Sequence, residues 1–117
     1  MLNITFNLNE DIGIIKINGE LDASNSKDLR KAFDEYFLRA NKFVLDFSDL
    51  QFMDSTGLGT IIRIFKFTEQ RNGILCIANP QNKAARVLKM TQAHKVINIY
   101  DSVDDAISNL IENNPEN

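Results

Sequence analysis

The sequence predicts a single α/β domain: a mostly parallel open sheet of about five strands, led by an antiparallel hairpin and carrying about four helices. Three observations predict it. Two alternating apolar segments at the start of the chain are separated only by the polar turn Asn9-Glu10-Asp11, which favours a hairpin. After the hairpin, short apolar runs alternate with stretches of helical periodicity, as in a sheet built from crossover units. The chain has 117 residues, one domain's length.

Taken in order, residues 3–8 place Ile4, Phe6 and Leu8 on one side and Asn3, Thr5 and Asn7 on the other, the period of a half-buried strand. Residues 12–18, with Ile12, Ile14, Ile15 and Ile17, form the second strand. Residues 26–39 carry Leu29, Ala32, Phe33, Tyr36 and Phe37 at helical spacing. Residues 43–47 are a strand, apolar except for Asp46, which reads as structural. A polar crossing leads to a helix from Ser55 to about residue 71, with Leu58, Ile61, Ile62 and Phe65 as its inward stripe. Glu69 falls on that same side. Asn72-Gly73 is a helix stop, and residues 74–78 are another strand. A short helix over 81–90, a last strand over 96–100 and a helix beginning after Asp101-Ser102 complete the domain at residue 112. Residues 113–117 are expected to fray.

Composition narrows the function. Hydrophobic residues make up 44% and charged residues 25%, with a net charge of −3. Charges of both signs are dispersed, which argues against a nucleic-acid partner. No signal peptide or membrane-spanning run is visible. The single cysteine, Cys76, excludes an intrachain disulfide and fits a cytoplasmic location. An enzyme is not expected, nor a cofactor. His94 is the only histidine and is expected in a solvent-facing turn. No metal-ligand spacing, hydrolase elbow or phosphate loop is present. Cys76 sits within an expected strand, where a thiol is inert.

The informative stretch is Met53-Asp-Ser-Thr-Gly-Leu-Gly59. Asp54 or Ser55 occupies an N-cap position. Gly57 and Gly59 are unusual in a first helical turn, each costing about 0.5–1 kcal/mol relative to alanine; the return is close approach of another backbone or of a partner. A serine hydroxyl at a helix N-terminus suits a phosphoserine, a bound anion, or a cap alone. Thr60, Ile64 and Phe67 fall on the side of the helix away from its core stripe, with Arg63 beside them. Either neighbouring helices cover this side, or it is a docking face next to Ser55.

Val44-Leu-Asp-Phe-Ser48, together with Met53-Asp-Ser-Thr-Gly-Leu-Gly59, resembles the signature of STAS domains, specifically the bacterial anti-sigma factor antagonists. Asn18-Gly-Glu-Leu-Asp22 and Leu75-Cys-Ile-Ala-Asn79 extend the resemblance over residues 1–112. It implies an open sheet with helices on one face. It also implies a binary switch in which Ser55 is the phosphoacceptor. Thr56, where the family often has serine, is a second candidate acceptor, or packs and caps only. The implied partners are an anti-sigma factor that is a serine kinase of the histidine-kinase-like ATPase class, and a metal-dependent serine phosphatase. Asp22, Asp54, Ser55, Thr56, Gly57, Thr60, Arg63, Ile64 and Phe67 are the candidate partner-binding residues. Asp22 either stabilises its own loop or joins the docking surface. Asp54 caps the helix, holds the turn or contacts the kinase. Two further classes stay open: a phosphorylation-independent scaffold or small-ligand sensor, and a small phosphate-handling enzyme.

Overall fold

The computed structural model describes residues 1–112; the tail expected to fray lies outside the described residues. Strand β1 (Leu2–Asn9) and β2 (Ile12–Leu21) form the antiparallel hairpin. Helix α1 (Ser26–Tyr36), β3 (Lys42–Asp46), β4 (Leu50–Met53), α2 (Ser55–Gln70), β5 (Ile74–Ala78), α3 (Asn82–Met90), β6 (Ile99–Tyr100) and α4 (Val103–Glu112) follow. The sheet runs β1-β2-β3-β5-β6, parallel from β2 onward, with β4 also parallel to β2.

The crossing before α2 is therefore a sixth strand. β2 continues to Leu21, three residues past its expected end, and pairs in succession with β3 (Ile12 to Lys16) and β4 (Gly19 to Leu21). Between these partners the chain turns at Asp46, whose carboxylate accepts the Ser48 amide at 3.0 Å. A bulge between Gly19 and Glu20 adjusts the register. The short strand β4 thus delivers Asp54 directly beside the end of β2.

The pleat sends alternate side chains to opposite faces. Ile15, Ile17, Phe43, Leu45, Leu75 and Ile77 build one core with α1, α2 and α3. Ile12, Val44, Cys76 and Ala78 build a smaller one with Ala106 and Leu110 of α4. The expectation of helices on one face is corrected by α4. Strands β3 and β5 are apolar at every buried position, so both faces need cover, and α4's apolar stripe supplies it.

Aromatic rings fix α1. Phe33 meets Tyr36, Phe37 and Phe43 at centroid distances of 5.3–5.4 Å. Phe37 in turn meets Phe67 of α2 at 5.0 Å. Arg71 lies over the Phe37 ring at 4.4 Å and donates to the Phe37 carbonyl at 2.7 Å. Glu69 is exposed, so its place on the nominal inward side carries no burial cost.

Candidate functional site

The start of α2 is built by Asp54. One carboxylate oxygen accepts the Gly57 amide at 2.8 Å, which is the N-cap bond. The other accepts the Ala23 amide at 3.2 Å, and the Asp54 amide donates to the Leu21 carbonyl at 3.2 Å. The helix start is thereby tied to the end of β2 and the loop beyond it.

Asp54 rather than Ser55 is the cap. Ser55 and Thr56 are exposed, and neither hydroxyl has a hydrogen-bond partner among the described residues. They stand at the positive end of the helix dipole, which favours an anion. The two glycines divide in role. A Cβ on Gly57 would lie 2.6 Å from the Leu21 carbonyl oxygen, so the close approach of β2 requires glycine. A Cβ on Gly59 would meet nothing within 4 Å among the described residues.

Asp22 organises its own loop. Its carboxylate accepts the Ser24 hydroxyl at 2.5 Å and the Ser24 amide at 2.9 Å, and these bonds hold it below its ordinary pKa. Its amide donates to the Asn25 side chain, and its carbonyl accepts the amides of Asn25 and Ser26. The loop in turn presents Ala23 to Asp54.

Three of the expected docking residues lie elsewhere than on an open face. Gly57 is turned to Leu21. Thr60 and Ile64, 5% and 3% exposed, are covered because α1 packs along that side of α2. Phe67 remains 50% exposed while its ring edge meets Phe37, and Arg63 is exposed. What the α1–α2 contact leaves open is a pair of grooves. A groove of about 230 Å³ is lined by Phe33, Phe37, Ile64 and Phe67, with Arg30, Asp34 and Arg63 around it. A second, of about 400 Å³, shares Arg30 and Arg63 and adds Lys27, Ser55, Thr56 and Gly59, with no acidic residue among the described residues that line it. The contribution of α1 escaped the sequence reading. The signal was the i, i+3 spacing of Lys27 and Arg30, which places both on one side of a helix.

Other reactive groups lie apart from this site. His94 is exposed in a 3-10 turn over Ala93–Lys95. Cys76 is buried in β5 with a pKa pushed up to about 12 by burial. Its neutral form is favoured by folding, so stability is expected to fall as pH rises from about 9, where the unfolded thiol ionises, towards 12. Replacing Cys76 with alanine is expected to flatten the lower part of that slope in denaturant titrations. Native protein should react with a thiol reagent only as fast as it unfolds. Among the described residues no group of three His, Cys, Asp or Glu side chains could hold a metal, and no helix is long and apolar enough to cross a membrane.

Fold and site together define a single α/β domain that presents the exposed hydroxyls of Ser55 and Thr56 at an Asp54-capped helix start beside a cationic groove. The STAS domain family model matches residues 3–106. The anti-sigma F factor antagonist of Paenibacillus polymyxa is 32% identical over 111 residues, covering 93% of this chain and 95% of that protein. A crystal structure of a candidate anti-sigma factor antagonist from Thermotoga maritima superposes with a TM-score of 0.85 at 30% identity, over 91% of this chain and 92% of the other. The unphosphorylated antagonist SpoIIAA has the same fold, with a TM-score of 0.79 at 18% identity, over 94% and 97% of the two chains. The chain belongs to the STAS-domain family, among its anti-sigma factor antagonists.

Proposed function

We propose that this protein is a phosphorylation-controlled anti-sigma factor antagonist, with Ser55 as the phosphoacceptor. The observation that carries the proposal is the division of labour at the start of α2. Asp54 fills the cap, leaving the Ser55 hydroxyl exposed at a helix N-terminus, without a hydrogen bond among the described residues. The unmodified protein docks an anti-sigma factor in the cytoplasm and frees a sigma factor. The exposed turn, Arg63 and the rim at Phe67 form the docking surface, with Asp22 and Asp54 holding its backbone.

That partner is a serine kinase of the histidine-kinase-like ATPase class. With magnesium-bound ATP, the Ser55 Oγ takes the γ-phosphoryl group; its proton passes to a base or solvent, and ADP leaves. A metal-dependent serine phosphatase uses water to cleave the new phosphate ester, releasing inorganic phosphate and restoring the hydroxyl. The chain is the substrate of these reactions and catalyses neither.

The test is the intact mass and peptide map of the protein after incubation with ATP, magnesium and an extract of its own cells. One phosphoryl group on the peptide containing Asp54-Ser55-Thr56, assigned to Ser55 by fragmentation, is the expected result. An unmodified protein, alongside a control substrate labelled in the same extract, would overturn the proposal in favour of a phosphorylation-independent scaffold or ligand sensor. Phosphate on Thr56 alone would move the acceptor by one residue.

A further inference from the structure

We infer that a phosphate on Ser55 is held by the chain's own Lys27, Arg30 and Arg63, across the groove between α1 and α2. The inference deepens the phosphoacceptor reading and rests on it. Its basis is the groove rather than the helix start. Three cations from two helices share a lining with Ser55, and among the described residues no acidic side chain joins them there. None of the three forms an ion pair among the described residues, where the pairs are Lys16–Asp49 and Lys42–Asp11. Asp28, next to Lys27 in the first turn of α1, does not line the groove; Asp54 is committed to the amides of Gly57 and Ala23, and Asp22 to Ser24. Asp34 lines the adjoining groove, with Arg30 and Arg63, and is absent from the lining around Ser55.

Helical spacing gives the geometry. Ser55, Gly59 and Arg63 are successive i, i+4 neighbours on α2. Side chains on a helix lean towards its N-terminus, over the preceding turn. Arg63 therefore leans over Gly59, where the missing side chain leaves open space that packing does not require. Its guanidinium, a bidentate phosphate donor, reaches along a bare stretch of helix towards Ser55. Lys27 and Arg30, one turn apart on α1, approach from the opposite wall. A phosphate in this groove competes with any partner carboxylate for the same cations. Modification then removes an attraction as well as adding a repulsion.

The experiment uses the full chain with phosphoserine installed at position 55 during translation, so that no kinase is needed. The second ionisation of the phosphate is followed by phosphorus NMR; in free phosphoserine it lies near pH 6, as a rough value. The triple substitution Lys27→Gln, Arg30→Gln, Arg63→Gln is compared with a control of equal charge change, Lys31→Gln, Lys66→Gln, Lys89→Gln. All six residues are exposed, and circular dichroism verifies the fold. The expected result is that the groove triple raises the phosphate pKa by about 0.5–1 unit while the control leaves it near that of the parent. No shift in the groove triple, or equal shifts in both, would overturn the inference. An unmodified Ser55 in cell extract would instead sink the phosphoacceptor reading and leave this titration unchanged, so the two failures are distinguishable.

Discussion

Ser55→Asp is expected to weaken binding to the anti-sigma factor by at least about 100-fold while leaving the fold intact. The two halves of this expectation have separate causes. At the first position of α2 a negative charge faces the positive end of the helix dipole, an interaction favourable by roughly 0.3–1 kcal/mol. The hydroxyl it replaces has no hydrogen bond to lose among the described residues. The melting temperature should therefore change by only a few degrees. At an interface, misplaced charge costs several kcal/mol, and each ~1.4 kcal/mol is tenfold in affinity. Ser55→Ala should bind like the parent and resist modification. Titration calorimetry with the purified partner, beside thermal melts, separates the effects. A Ser55→Asp protein that unfolds, or one that binds as tightly as the parent, would contradict this account.

The two glycines of the same turn should respond to alanine in opposite directions. In Gly57→Ala the new methyl is driven against the Leu21 carbonyl oxygen at 2.6 Å and the Leu21 Cγ at 2.9 Å. Neither can retreat cheaply, because Leu21 is fully buried and its carbonyl holds the Asp54 amide. Overpacking of this kind costs about 1–3 kcal/mol, against which the better helix propensity of alanine returns about 0.5–1 kcal/mol. Gly59→Ala meets no atom of the described residues within 4 Å and keeps the whole propensity gain. For a domain of this size, 1 kcal/mol moves the melting temperature by roughly 3–6 °C, so the variants should straddle the parent and differ by several degrees. A stabilised Gly59→Ala protein with weakened partner binding would show that the bare helix surface serves docking at the expense of stability. Equal losses in both variants would refute the distinction.

The legible part of the fold was the part written in periodicity. The hairpin, the alternation of strands and helices, and the inward stripe of α2 all follow from apolar spacing that local structure enforces. β4 was hidden for a physical reason. Leu50-Gln-Phe-Met53 is too short for a pattern to emerge between Asp49 and Asp54, and it becomes a strand only because β2 extends to meet it. The position of α4 was hidden as well. An amphipathic helix announces that it will cover an apolar face; which face depends on the vacancy left by the other three. At the site, the sequence singles out Ser55 and its turn, whereas the cover over Thr60 and Ile64 comes from α1, a segment some thirty residues upstream. Side chains that meet through tertiary packing leave no trace in local spacing, and the approach of Lys27 and Arg30 to Ser55 belongs to that class.

The tie between Asp54 and the segment Leu21 to Ala23 has a consequence for what a reader of this surface perceives. The turn that displays Ser55 takes its shape from bonds spanning about thirty positions of chain, and its surroundings include side chains from another helix. A peptide carrying Asp54-Ser55-Thr56 lacks that relief, and so does a misfolded copy. A partner that recognises the assembled surface therefore counts only finished molecules, and the signal it receives measures the concentration of correctly folded protein rather than the rate of its synthesis.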